Sequence, residues 1–149
     1  MTDRTTHTFK VSLQGEPSIY REIEIISTTS LFRFAAAIVA AFGFEFDHAF
    51  GFYAKLTGRD VLQSRPRYEL FHDMGARTDS FSVRKTMVDE AFAEPGDKLL
   101  FVFDYGDAWR FVVELLRIGP AKKGTRYPRL VSHRGAAPQQ YPDPEHTVH

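Results

Sequence analysis

Cysteine is absent from this chain of 149 residues. That excludes a disulfide framework, a thiolate zinc site, an iron–sulfur cluster and a cysteine nucleophile. Net charge is absent as well: 19 basic residues balance 19 acidic ones, so no global field draws the protein onto nucleic acid or an anionic membrane. Long apolar runs are missing. The longest, Phe34 to Phe42, has nine residues, against about 20 for a spanning helix. The opening residues, Met1 to Thr8, have none of the apolar character of a secretory signal, which predicts a cytoplasmic protein without membrane attachment. There is no internal repeat and no glycine-rich loop of the kind that cradles phosphate.

What is present is an aromatic-rich chain of single-domain length, with fourteen Phe and six Tyr. Residues 7–14 alternate, with Phe9, Val11 and Leu13 on one face and Thr8, Lys10 and Ser12 on the other, the signature of a half-buried strand. Gly15 to Ser18 reads as a turn, and Ile19 to Ser27 alternates again, completing an antiparallel hairpin. Thr28, Thr29 and Ser30 offer hydroxyl caps to a helix whose apolar residues (Leu31, Phe34, Ala35, Ile38, Val39, Phe42) recur at helical spacing up to Gly43. Arg33 is its only charged residue, which predicts a helix covered on most sides.

Ala49 to Leu56 reads as a third strand, residues 57–82 as a variable excursion with a short strand-like piece at Arg67 to Phe71, and Thr86 to Ala93 as a short helix. Lys98 to Asp104 is apolar on both faces and predicts a central strand, followed after a turn by a long strand from Trp109. The expected fold is a single α+β domain over residues 1–137, a mixed or antiparallel sheet of about five strands with one main helix packed across it. Pro138, Pro142 and Pro144 punctuate a polar stretch, so residues 138–149 are expected to form a flexible tail.

Several segments carry a family resemblance. Ala41-Phe42-Gly43-Phe44-Glu45-Phe46-Asp47-His48-Ala49-Phe50 resembles an A-F-G-W-x-x-D-H-L-H-x-F pattern. Pro95-Gly96-Asp97-Lys98, followed by Phe103-Asp104-Tyr105-Gly106-Asp107-Ala108-Trp109, resembles P-G-D-K…Y-D-F-G-D-G-W. Ile19 to Ile25, Tyr127-Pro128-Arg129 and Gly135 to Pro138 add weaker matches. In this order the segments resemble the plasmid pRiA4b open-reading-frame-three-like family, over roughly residues 7–138. The resemblance implies a roll-like α+β domain without an established activity, some of whose members carry a resolvase label. The chain departs from the pattern at Phe50, which replaces a second His, and at Leu130 and Ala137, which replace two late cysteines. Ser12, Ser18, Ser27 and Ser30 each have an ordinary structural place in an expected strand, turn or cap, so none of these four reads as a recombination nucleophile.

Two functional readings follow. The favoured one is a non-enzymatic binding or regulatory module without a cofactor. Its surface would combine Tyr105, Trp109 and Arg110 with Tyr127, Arg129 and Arg134. Residues 110–134 hold seven basic residues against Glu114 alone, a segment suited to a protein or nucleic-acid partner. The alternative is a metal-assisted hydrolase in which Asp47, His48, Asp104 and Asp107 hold a divalent ion or move protons. Exposed strand edges would also allow a homodimer.

Overall fold

The computed structural model describes residues 4–141. Strands β1 (Thr5–Leu13) and β2 (Glu16–Ile26) form the first hairpin, and helix α1 (Leu31–Ala41) follows. Strand β3 (Phe50–Tyr53), a single 3-10 turn at Val61–Gln63, strand β4 (Arg67–Glu69) and the one-turn helices α2 (Leu70–Asp73) and α3 (Val88–Ala91) lead to β5 (Lys98–Phe103) and β6 (Trp109–Pro120). Strand β7 (Arg129–Arg134) comes last. All seven strands lie in one sheet in the order β4-β3-β5-β6-β1-β2-β7, and every adjacent pair is antiparallel.

This overturns the α+β domain of about five strands with one main helix. The protein is sheet-dominated: α1 has 11 residues, and α2 and α3 have four each. The strand-like piece at Arg67 to Phe71 is one edge strand, β4, shortened to Arg67–Glu69, and the strand missing from the sequence reading is the opposite edge, β7. An edge strand has one pairing neighbour and little burial, so its sequence need not alternate. β4 is only three residues long. β7, Arg-Leu-Val-Ser-His-Arg, is mostly exposed and carries charge at both ends. Side-chain bonds to β2 help hold it: Arg129 Nε donates to Glu24 Oε1 at 2.7 Å and Ser132 Oγ to Glu22 Oε2 at 2.6 Å.

The core sits between α1 and one sheet face. Phe9, Ile25, Phe52, Phe101, Phe111 and Val113 point toward Leu31, Phe34, Ile38 and Val39, all of them buried. Ser30 caps the helix, its Oγ accepting the Arg33 N–H at 3.2 Å. β5 is buried on both faces from Leu99 onward, as its unbroken apolar run requires: Leu100 and Val102 join Tyr53 and Val61 in a second, smaller cluster on the far side. Leu56 and Leu62 cover that cluster, so part of the 57–82 excursion is a lid over the second face. Among the described residues no helix is long and apolar enough to cross a membrane. Of the expected tail, residues 142–149 lie outside the described residues.

Candidate functional site

The structure brings the candidate acid–base residues together at one end of the sheet. Asp47 and His48 sit just before β3, and Asp104 opens the β5–β6 connection, its N–H donating to the Ala49 carbonyl at 2.9 Å. Asp104 adopts a left-handed conformation (φ 63°) that folds its Oδ1 over the turn, where it accepts from the N–H groups of Gly106 at 3.1 Å and Asp107 at 3.3 Å. Its Oδ2 lies 3.6 Å from His48 Nε2. On the other side of the ring, His48 Nδ1 is 2.7 Å from Asp47 Oδ1.

Two further residues complete this cluster. Gln140 is buried and clamps the Glu45 backbone, accepting its N–H at 2.7 Å and donating to its carbonyl at 3.1 Å. Tyr141 Oη then donates to Asp47 Oδ2 at 2.9 Å and lies 3.0 Å from His48 Nδ1. Neither was legible in the sequence, because a clamp between residues 45 and 140 leaves no local periodicity.

The electrostatics follow from these contacts. The hydrogen bond to Asp47 holds the His48 imidazole above its ordinary 6.5; desolvation opposes the shift, and the charges of Asp104, Asp47 and Asp107 add to it. Desolvation works to raise Asp47, but the bonds from His48 and Tyr141 outweigh it and leave the carboxyl below its ordinary 3.8. Loss of hydration and the bond to Asp47 push the Tyr141 phenol up to about 12.

A pH-dependent stability contribution is the consequence. His48, with its raised pKa, stabilises the fold fully below 6.5 and ceases to do so as pH rises through the folded value. Asp47, with its lowered pKa, stabilises above 3.8 and ceases to do so as pH falls through its own folded value. The melting difference between wild type and His48→Gln is therefore expected to be largest near about pH 5 and to shrink toward about pH 9. A difference that grows on the alkaline side would refute the ion pair.

Among the described residues no three His, Asp or Glu side chains are arranged to hold a metal ion. The geometry offers nothing specific to the metal-assisted hydrolase. The side chains of the other candidate set do not come together. Tyr105 is hydrogen-bonded to Tyr53 Oη at 2.6 Å and belongs to the cluster on the far face of the sheet. Trp109 packs on the α1 face, edge-on to Phe44 at 4.9 Å. Arg110 is half-buried opposite Val102 on β5. Arg129 is ion-paired with Glu24. Arg134 ends β7, paired with Tyr20 of β2. Tyr127 precedes β7 and lines a separate cleft.

That cleft, about 510 Å³, opens where α1 begins. Arg4, Arg33, Arg84, Thr28, Thr29 and Tyr127 are among its lining residues, and none of the described residues lining it is acidic. The Arg84 guanidinium lies 3.9 Å above the Phe32 ring, which limits its freedom to retreat into solvent. Arg33 stands in the first turn of α1, where the partial positive charge of the helix end disfavours a cation. Glu90, close in sequence to the lining residue Met87, turns its carboxylate to the Met87 N–H at 3.1 Å. A sequence signal did exist: Arg33 is the lone charge of its helix and lies three residues beyond the hydroxyl run Thr28 to Ser30.

The fold and these sites define a sheet-dominated domain of seven antiparallel strands with an arginine-lined cleft at its helix start and a His–carboxylate cluster at one sheet end. The chain belongs to the family described as plasmid pRiA4b ORF-3-like protein, whose model matches residues 5–141. It is similar in fold to a crystal structure of a protein of unknown function from Methanosarcina mazei Go1, with a TM-score of 0.72 and 24% identity, covering 91% of this chain and 72% of that one. Neither the family description nor that structure assigns an activity. No curated protein matches the chain.

Proposed function

We propose that the protein is a non-enzymatic binding module that takes an anionic ligand or partner in the arginine cleft. One observation carries this reading: three arginines line one cleft with no acidic residue among the described lining. Gathering like charges costs energy that a bound anion would recover, and the guanidinium fork suits carboxylate, sulfate and phosphate oxygens. The hydroxyls of Thr28 and Thr29 add donors at the same place. The His48 cluster, by contrast, is occupied with its own neighbours.

The test is an NMR titration of the full chain with a heparin fragment and with tripolyphosphate. The expected result is movement of the Thr28–Arg33 amide signals with at least one of these anions, lost in the Arg33→Glu/Arg84→Glu variant. No movement there with either anion, or movement centred on Asp47 and His48, would overturn the reading.

A further inference from the structure

Resting on that reading, we infer that the occupant of the arginine cleft is a small phosphate ester carrying a flat ring, of nucleoside-diphosphate size, with its phosphates on Arg33 and Arg84 and its ring against Tyr127. Three features separate this ligand from a polymeric anion. The first is size: about 510 Å³ falls within the range of about 300–1,000 Å³ typical of small-molecule sites. The second is charge. A nucleic acid is held by many phosphate contacts spread over a basic surface. Here 19 basic residues are balanced by 19 acidic ones over the whole chain, and three arginines gather locally. Such a cluster neutralises one or two phosphate groups rather than a strand. The third is an aromatic residue in the same lining. Tyr127 is half-buried, and its Oη accepts the Lys122 N–H at 3.0 Å, which fixes the ring in place. A fixed aromatic face beside guanidinium groups suits a ligand with an anionic end and a stacking end.

The cationic side is held in position too. Arg84 is braced over Phe32, and Phe32 is tied to the chain on either side of Arg84: its N–H donates to the Val83 carbonyl at 3.0 Å, and the neighbouring Leu31 N–H donates to the Thr86 carbonyl at 2.9 Å. A guanidinium held in this way loses less conformational freedom on binding than a free surface arginine would.

The deciding experiment is calorimetric titration of the full chain with ADP and, separately, with pyrophosphate, in wild type and in Arg33→Gln, Arg84→Gln and Tyr127→Leu variants whose melts confirm folding. Both probes are expected to bind wild type. Each arginine variant should weaken both by about tenfold or more, and Tyr127→Leu should weaken ADP alone. Binding of neither probe overturns the inference, as does binding that the arginine variants leave unchanged. ADP binding that Tyr127→Leu leaves unchanged removes the ring from the inference. If a heparin fragment moves the cleft signals while ADP and pyrophosphate do not bind, this inference falls and the anionic-partner reading stands. If no anion binds at the cleft, both fall.

Discussion

Replacing Gly51 by Ala is expected to destabilise the fold by about 3 kcal/mol. Gly51 is in β3, paired with Glu69 of β4 on one side and Val102 of β5 on the other, so its backbone cannot move away. A Cβ at this position would lie 2.7 Å from both the Tyr105 and Tyr53 hydroxyls and 2.8 Å from Tyr53 Cε2. Those hydroxyls have little room to yield. Tyr53 is fully buried; its Oη donates to Glu69 Oε2 at 2.6 Å and meets Tyr105 Oη at 2.6 Å. Thr78 donates to the other Glu69 oxygen at 2.8 Å, and the Phe71 ring backs Tyr105 at 4.9 Å. The methyl group therefore forces the rings off their partners and takes the tyrosine donor from the buried Glu69 Oε2. Urea denaturation checks this, and a loss below about 1 kcal/mol would show that the network has slack. Tyr105→Phe in the Gly51→Ala background removes one of the two obstructing oxygens and should recover part of the loss, an interaction that a double-mutant cycle reads directly.

Arg21→Met is expected to cost a similar amount, about 3 kcal/mol, for a different reason. Arg21 is buried, at 7% exposure, and no carboxylate pairs with it among the described residues. Its charge is solvated by backbone instead. Nε donates to the Ala41 carbonyl at 3.1 Å, and Nη1 donates to the carbonyls of Tyr20 at 2.9 Å and of Arg134 and Gly135 at 3.1 Å each. The guanidinium also lies 4.8 Å from the centre of the Phe42 ring. One side chain thus ties β2 to the end of α1, where helix carbonyls carry partial negative charge, and to the end of edge strand β7. Met keeps the apolar stem and removes every donor that Arg21 supplies to those carbonyls. Arg21→Lys keeps the charge without the fork and should fall between the two. Hydrogen exchange in β7 offers a second readout: the edge should open in Arg21→Met well before the global transition. Equal protection of β7 in both proteins would refute the tie.

These two sites show where local sequence information ends. The spacing of Phe9, Val11 and Leu13 identifies a strand because one-sided burial imposes period two, and the short run from Leu99 to Phe103 identifies another because burial on both faces makes every position apolar. Ser30 was legible as a cap because capping is a bond across three residues. β7 was not, because its hydrogen bonds go to β2 and only one of its edges is paired. The roles of Gly51 and Arg21 depend on partners far away in the chain, as do those of Gln140 and Tyr141.

The candidate sites divide in the same way. Asp47, His48, Asp104 and Asp107 were legible as a chemical set from residue type and the motifs around them; the backbone bond between Asp104 and Ala49 brings the first three together, while Asp107 joins the turn through its backbone N–H. Tyr105 and Trp109 are close in sequence, but the turn between β5 and β6 sends their side chains to opposite faces of the sheet, which separates them as parts of one surface. Arg4, Arg33 and Arg84 show the reverse: distant in sequence, they line one cleft because the starts of β1 and α1 and the approach to α3 meet there. Composition and periodicity alone determined an aromatic-rich domain without cysteine, with several alternating strands and one capped helix, since those properties follow from residue type and nearest neighbours. The number of strands, the face each side chain occupies and the grouping of the arginines were decided by tertiary structure, because pairing across a sheet joins residues that no local pattern connects.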